Sequence, residues 1–476
     1  MAESFTRPRK PIPSPEFGGR ERLAPLEIAP SMLPLDLSLF PPLRLAALDS
    51  CTTHDVSLHW TPAAYPRCIS TPGQVVVPQN LSGKERKKWL YATAEQLVKE
   101  KRAVEDGLTK FKGKVEERED RVFKKVGLWN SVFRVKRRKV EGERLDPNVK
   151  SITVVATHPV GLHKETYEVL FRHLIDLTEQ PGSLIRFEEL WSLESVDHGD
   201  SSLVNGSNVP KIGDCSDYAR DLANFCLNYL PQPSTSQVPP ALERVSPSVS
   251  QTRKNDGFLG EGRILISLGH SLGSVAGVLC AISYPRIFSA LIQSETTFFP
   301  RVIKPKIEAA GGAVPFIMSA LGRKAVWPSR EEAKANLAKS PLFLSFHPSV
   351  FQSYIDHALW EDKANNCVRL KCTPVGEARK WNELLCLNEG WQLLPTLDEK
   401  IPLYWIMGST ENASFIVGGS EVARDTVWRR PKNTSNIKLP GAGHLLIQEM
   451  PDTYAKAMLD YLNKLYVEQE HHKAKL

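Results

Sequence analysis

Apolar and polar residues alternate along the chain in blocks that predict buried strands separated by amphipathic helices. Short apolar runs of the kind found in strands buried on both faces occur at residues 152–156, 185–192, 264–268, 290–293, 402–407 and 436–439. Several segments between and after them have apolar residues at three- and four-residue steps, as in 451–466, where proline stands in the first turn. Strands that alternate with helices predict the α/β class, with a mostly parallel sheet covered by helices on both faces.

The remaining segments differ from this core in composition. Residues 1–80 are predicted to be largely disordered or irregular, with short strands near 56–58 and 75–77. Residues 81–130 predict a charged amphipathic helical extension, either one long helix or a hairpin broken near Gly107 or Gly113. The rest is divided by prediction into a core at 131–297 and 400–467, a disordered insertion at 231–260, a helical lid at 298–399 and a targeting tail at 468–476.

Composition and charge narrow the classes of function. The 476 residues carry a formal net charge of +7, and the surplus is concentrated in residues 84–146. A solvated helix face explains such a segment better than a nucleic-acid or membrane-surface patch, so no nucleic-acid partner is predicted. No apolar run reaches the length of about 18 residues that predicts a membrane helix, and residues 1–17 lack the apolar core of a signal peptide. The eight cysteines contain no C-x-x-C pair and are expected to be reduced thiols.

Residues 269–273 match G-x-S-x-G, and their surroundings give this short motif its weight. An apolar strand precedes the motif and a helical pattern follows it, which is the strand–turn–helix context of a nucleophile elbow. Glycines on both sides of Ser271 suit so sharp a turn, because larger side chains would collide with the neighbouring strand or helix. Ser271 is therefore the predicted nucleophile.

A serine hydroxyl needs a base, and His444 is the best placed of the twelve histidines. It lies in a glycine-rich loop after the last predicted strand and before the closing helix, and the order Ser, acid, His is typical of this elbow fold. Two carboxylates remain candidates for the acid that orients His444. Glu411 follows the strand at 402–407 and is slightly preferred, whereas Glu295 ends the preceding strand.

Two backbone N–H groups are expected to stabilise the negative charge that develops during acyl transfer. One is that of Leu272, directly after the serine, and the other is that of Leu162, in the loop after the strand at 152–156. His158 is expected to brace that loop. No set of His, Cys, Asp and Glu has the spacing of metal ligands, and neither G-x-G-x-x-G nor a P-loop occurs, so no metal and no cofactor is predicted.

Several of these stretches resemble the α/β-hydrolase superfamily. They are the elbow at 269–273, the loop at 441–444 followed by Glu449 and Pro451, and H-G-D-S at 198–201. More narrowly, residues 158–168 resemble the motif H-x-x-G-x-x-K-E-x-Y-E of a fungal branch that includes peroxisomal hydrolases of host-selective toxin clusters, of the AK-toxin type, and more distantly the yeast peroxisomal lipase. The resemblance covers about residues 150–470. It implies a lipid-like or acyl substrate from fungal secondary metabolism and toxin biosynthesis.

The last three residues, Ala474, Lys475 and Leu476, are a close variant of the Ser-Lys-Leu peroxisomal signal. The polar run before them predicts an exposed terminus that an import receptor can reach. The predicted location is therefore the peroxisome, with its import receptor as a partner.

Together these features predict a serine hydrolase that acts on an ester or thioester, with a helical lid over the site. The serine at the elbow disfavours mechanisms that need an aspartate nucleophile. Two alternatives remain open, namely an acyltransferase on the same fold and a non-catalytic binding protein that keeps the fold.

Overall fold

A computed structural model describes residues 3–13, 26–40, 42–68, 75–78, 81–110, 126–139, 146, 148–235, 237–303, 311–411, 413 and 418–468. The helical extension predicted at 81–130 is described in part. It contains one continuous helix, Gly83–Lys110, which passes through Gly107 without a break. The predicted targeting residues Ala474, Lys475 and Leu476 lie outside the described residues.

The described residues form a central sheet of eight strands in the order β1-β2-β4-β3-β5-β6-β7-β8. The first two strands pair antiparallel with their neighbours, and the remaining pairs are parallel. The strands, labelled in chain order, are β1 His54–Pro62, β2 Trp129–Arg137, β3 Lys150–Thr157, β4 Ile185–Leu193, β5 Ile264–His270, β6 Ala290–Ser294, β7 Leu403–Gly408 and β8 Thr434–Leu439.

Fifteen α-helices occur in the part of the chain that the structure describes. They are α1 Gly83–Lys110, α2 Glu168–Thr178, α3 Gly199–Asn205, α4 Ser216–Asn224, α5 Pro247–Asp256, α6 Leu272–Ser283, α7 Val314–Gly322, α8 Arg330–Leu337, α9 Pro341–Leu344, α10 Pro348–Ala358, α11 Pro374–Trp381, α12 Leu385–Leu393, α13 Ser420–Trp428, α14 Leu446–Glu449 and α15 Pro451–Asn463.

Helices cover both faces of the sheet, because successive side chains of each strand point to opposite sides. On β5, Leu265 packs in one core with α4 and α6, whereas Ile266 and Leu268 pack in the other core with α2 and α15. The predicted α/β class, with a mostly parallel sheet between two helical layers, is confirmed.

The region predicted as a helical lid, 298–399, contains helices α7 to α12 and a feature that was not predicted. Three short antiparallel strands, Val326–Trp327, Leu359–Asp362 and Cys367–Leu370, form a separate small sheet. A core around Trp327, Phe343 and Tyr354 also contains Leu162, from the loop after β3. The lid region therefore packs against the end of the central sheet that carries the elbow. Helix α1 joins it there by packing on α7.

The prediction of disorder at 231–260 is wrong for its described residues. Helix α5 lies there, with Ser246 accepting a hydrogen bond from the Val249 N–H at its first turn. Arg253 of this helix is fully buried, pairs with Glu261 and donates to the carbonyls of Cys226 and Leu230. These partners lie in other elements, so the polar composition of the segment gave no sign of them.

The strand expected near 56–58 is present. Residues His54–Pro62 form the edge strand β1, which pairs with β2 along all nine residues. The strand expected near 56–58 is therefore longer than predicted, and the core begins with it. No strand forms at 75–77 among the described residues.

Candidate active site

Ser271 stands at the turn between β5 and α6, in a backbone conformation that L-residues rarely adopt. Its φ is 53° and its ψ is −116°, and such strain is typical of a nucleophile elbow. A Cβ atom at Gly273 would lie 2.0 Å from the carbonyl oxygen of Thr157, so only glycine allows α6 to approach β3 this closely. The Ser271 N–H donates to the carbonyl oxygen of Ser294, at 2.9 Å, and ties the turn to β6.

The side chain of His444 bridges the serine and a carboxylate. Its Nε2 lies 3.1 Å from Oγ of Ser271, and its Nδ1 lies 3.0 Å from Oε2 of Glu295. Because a carboxylate only accepts, the proton is assigned to Nδ1, which leaves Nε2 free to accept the proton of the hydroxyl. The three residues follow β5, β6 and β8, and all of them are almost buried.

Glu295, and not Glu411, supplies the carboxylate beside His444. Its φ of 51° turns the chain directly after β6, and its Oε1 accepts the N–H of Gly408 on β7 at 2.7 Å. Glu411 follows β7 and is exposed. This geometry corrects the slight preference for Glu411. Glu295 follows β6, which is adjacent to the elbow strand β5, whereas Glu411 follows β7, one strand further away.

The loop that carries His444 is held by two side chains on either side of it. Glu449 accepts the N–H groups of Gly443, at 2.5 Å, and Leu445, at 3.3 Å. His270 donates from Nε2 to the carbonyl oxygen of His444 at 2.8 Å. Burial, with His444 close by, lowers the pKa of His270 to about 3, so this imidazole stays neutral and keeps its donor. The motif had indicated Glu449 without a role, and the contact that His270 makes with the His444 carbonyl was not predicted.

The two amides predicted to bind the oxyanion lie on elements that touch. Leu272 begins α6, where an N–H has no acceptor within the helix. Leu162 lies in the loop after β3, and its N–H has only a long bond of 3.4 Å to the carbonyl oxygen of Pro159. The Thr157 hydroxyl donates to the carbonyl oxygen of Gly273 at 2.8 Å, which joins the base of that loop to the elbow.

Two buried histidines support the loop after β3. His158 accepts the N–H of Ser195 at Nε2, at 3.0 Å, and donates from Nδ1 to the carbonyl oxygen of Pro159, at 2.9 Å. It braces the loop, as predicted from the sequence. His198 accepts the N–H of Gly161 at Nε2, at 3.0 Å, a contact that the sequence did not indicate.

A cluster of buried charges lies behind the same loop. The ammonium of Lys164 is within 2.7 Å of carboxylate oxygens of both Glu165 and Asp200. Although burial disfavours a charge, these carboxylates hold the pKa of Lys164 well above its usual range. The lysine and glutamate of the K-E motif are therefore partners in one network that fixes the start of α2.

Among the described residues, no group of three or more His, Cys, Asp or Glu side chains is arranged to hold a metal ion. None of the helices in the described ranges is long and apolar enough to cross a membrane. The eight cysteines form no disulfide.

Comparison with known proteins gives a partial match in sequence. No family model matches the chain. The type I acyl-CoA thioesterase mpaH of Penicillium brevicompactum is 31% identical over 191 residues, which are 40% of this chain and 36% of that protein. A type I acyl-CoA thioesterase mpaH of Penicillium roqueforti is 27% identical over 192 residues, 38% of this chain and 34% of that protein. The chain thus spans little more than a third of the length of the curated relatives that it matches.

A solved structure matches over most of the chain. The peroxisomal alpha-beta-hydrolase Lpx1 of Saccharomyces cerevisiae superposes with a TM-score of 0.58 at 14% identity, which covers 88% of this chain and 90% of that chain. At this level of identity the likeness concerns the fold. The strand order, the elbow after β5 and this superposition together give the chain the fold of the α/β-hydrolase superfamily, as its motifs predicted.

Proposed function

We propose that the chain is a serine hydrolase that cleaves a thioester or an ester of a small acyl molecule. One observation carries this proposal, namely the continuous hydrogen-bonded chain from Ser271 Oγ through the imidazole of His444 to the carboxylate of Glu295. Such a chain has the geometry that activates a serine hydroxyl. The sequence similarity to proteins named as acyl-CoA thioesterases supports a thioester of coenzyme A as the first substrate to test.

The reaction follows from where the protons are. As Ser271 Oγ attacks the carbonyl carbon, its proton moves to Nε2 of His444, and the imidazolium is stabilised by Glu295. The negative charge on the former carbonyl oxygen is met by the N–H groups of Leu272 and Leu162. His444 then protonates the sulfur or oxygen of the leaving group, and the acyl group remains on Ser271. Water, deprotonated by His444, attacks this acyl-enzyme, releases the acid and restores the hydroxyl.

The first experiment measures thiol release from acyl-CoA substrates of several chain lengths. Ser271→Ala and His444→Ala are each expected to lower kcat by about 10⁴- to 10⁶-fold, and the double variant by little more, because the two residues act as a unit. Ser248→Ala, which changes an exposed serine, serves as the control and keeps full activity. Full turnover by Ser271→Ala would contradict the proposal.

Labelling and product analysis distinguish the alternatives. A fluorophosphonate probe is expected to label wild-type protein and not Ser271→Ala, whereas a binding protein that only keeps the fold would not be labelled. Offering alcohols and amines during turnover tests for acyltransfer. A free acid as the main product supports the proposed hydrolase. An acylated alcohol or amine as the main product would show that the protein is an acyltransferase instead.

We further propose that the protein acts in the peroxisome, in fungal toxin or other secondary metabolism. The C-terminal Ala474, Lys475 and Leu476 support this location, as does the fold shared with a peroxisomal hydrolase of yeast. A fluorescent protein fused at the N-terminus is expected to give peroxisomal puncta that disperse when Leu476 is deleted. A diffuse cytosolic signal from the intact fusion would contradict the proposed import.

A further inference from the structure

The loop that bears the predicted oxyanion amide of Leu162 is held by a side chain that no part of the proposed reaction uses. Gly161, directly before Leu162, has a φ of +79° and donates its N–H to Nε2 of His198 at 3.0 Å. The Gly161 N–H is therefore already bonded and cannot bind an oxyanion. The same bond fixes the orientation of the next peptide group, which carries the N–H of Leu162.

The proton positions of His198 are set by its two partners. Because Nε2 must accept from Gly161, the ring proton is assigned to Nδ1, which faces Oδ1 of Asp197 at 2.9 Å. The ring is fully buried. Because both ring nitrogens are bonded, the ring cannot rotate, and Nε2 stays directed at the Gly161 N–H.

Asp197 is held in turn by cations of the lid helix α11. Lys380 lies 3.4 Å and Arg379 lies 3.7 Å from its Oδ2. Burial alone would raise the pKa of Asp197, but Lys380, the His198 hydrogen bond and Arg379 hold it well below its usual range. The carboxylate therefore stays charged and keeps its bond to His198.

The same helix touches the loop directly. A Cβ atom at Gly161 would lie 3.2 Å from Oε1 of Glu377, and one at Gly376 would lie 2.9 Å from the carbonyl oxygen of Asp197. Helix α11 thus contacts both ends of the connection from Asp197 through His198 to Gly161.

We infer that His198 is a positioning residue that orients the oxyanion amide of Leu162 through Gly161, and that lid helix α11 fixes it through Asp197. The inference rests on the proposed serine hydrolase function and adds to it a physical link between the lid and the oxyanion site. An enzyme of this design loses transition-state stabilisation when the link breaks, even though none of its members touches the substrate.

Two substitutions at His198 separate the two bonds. The side-chain amide of His198→Asn can still donate to Asp197 but has no atom at the position of Nε2. The amide oxygen of His198→Gln can accept the Gly161 N–H. His198→Asn is expected to lower kcat by about 10²-fold, with a far smaller change in KM, since displacement of one oxyanion donor costs about that much. His198→Gln is expected to lose less activity than His198→Asn, because it keeps the acceptor for the Gly161 N–H and gives up only the bond to Asp197.

A trifluoromethyl ketone with an alkyl chain gives a second measurement. It forms a hemiketal with a serine, and the hemiketal oxyanion needs the same amides. Its inhibition constant is expected to rise in His198→Asn by a factor similar to the loss in kcat. Equal losses in both variants, or unchanged binding of the ketone by His198→Asn, would overturn the inference.

Folding is checked by circular dichroism and thermal melting. If His198→Asn does not fold, Lys380→Met provides the decision, because it removes the lid cation from Asp197 and leaves His198 in place. Lys380→Met is expected to lower kcat and to weaken binding of the ketone by similar factors. Unchanged kcat and ketone binding would overturn the inference. If the wild type shows no turnover that depends on Ser271, the proposed function itself is contradicted. If turnover depends on Ser271 but His198→Asn is fully active, only the role of His198 is contradicted.

Discussion

The carboxylate of Glu295 has two fixed partners, and this determines what it can do for His444. One oxygen accepts from Nδ1 of the imidazole, and the other accepts the N–H of Gly408 from the neighbouring strand. With both oxygens held, the carboxylate cannot rotate away from the imidazole. It also requires the proton on Nδ1, the tautomer in which His444 can act as a base toward Ser271.

Replacing this carboxylate by an amide should therefore be far more harmful than its small change in shape suggests. In Glu295→Gln the amide nitrogen either opposes the N–H of Gly408 or faces Nδ1 of His444, where it forces the imidazole proton onto Nε2 and removes the base from Ser271. We expect kcat to fall by about 10⁴-fold, the scale known for loss of the correct tautomer in a serine triad.

Glu411→Gln is the matched control, since Glu411 is exposed, and it should leave kcat unchanged. Steady-state kinetics of both variants, together with their melting temperatures, make the comparison. A larger loss of kcat in Glu411→Gln than in Glu295→Gln would show that Glu411 is the acid of the triad.

At the scale of elements, the site depends on how closely α6 approaches β3. Gly273, at the start of α6, lies against the Thr157 carbonyl, and Gly277, one turn later, lies against the Ser267 hydroxyl and the Gln293 amide. The approach brings the first turn of α6 beside the loop after β3, so that the two predicted oxyanion amides lie on touching elements.

Gly273→Ala is expected to destabilise the protein by about 1–3 kcal/mol or more, because overpacking against a backbone carbonyl forces a shift of helix or strand. Gly260→Ala is the control, as nothing lies within 4 Å of a Cβ atom there. Urea unfolding of the two variants measures the difference. A Gly273→Ala protein as stable as the control would show that the approach is less tight than described.

At the scale of the whole molecule, the buried carboxylate of Glu168 is expected to make the free energy of unfolding depend on pH. Glu168 begins α2, a position where a helix favours negative charge, yet its side chain is almost completely buried. Burial raises its pKa to about 7, against an ordinary value of 4.5, although the nearby Ser353 hydroxyl lowers it. Desolvation is therefore the largest cause of the shift.

The folded state binds this proton more tightly than the unfolded state does, so stability should fall as pH rises from about 4.5 to about 7. Glu168→Gln removes the charge that is costly to bury. The variant should gain stability relative to the wild type as pH rises, by up to about 3 kcal/mol at pH 8.

The exposed Glu361→Gln is the control and should show no such trend. Unfolding free energies at pH 5 and pH 8 give the measurement. A difference between Glu168→Gln and the wild type that is independent of pH would contradict this account.

Local patterns in the sequence sufficed to predict the α/β sheet and the strand–turn–helix elbow at Ser271, and to single out His444 as the residue proposed as its base. Each depends on residues close together in the chain: an apolar run of strand length, glycines on both sides of a turn, or a histidine in a glycine-rich loop before a helix. Such features follow from backbone sterics and side-chain periodicity, which act over a few residues.

Only the tertiary structure decided the features that depend on partners far away in the chain. Glu295 and Glu411 both follow strands, and the position of β6 beside the elbow selects Glu295. Arg253 orders a polar helix through acceptors in other elements, and β1 joins the core because it pairs with β2. The position of His198 against Gly161 is of the same kind. Hydrogen bonds and ion pairs between distant segments require a relative placement of elements that no local pattern encodes.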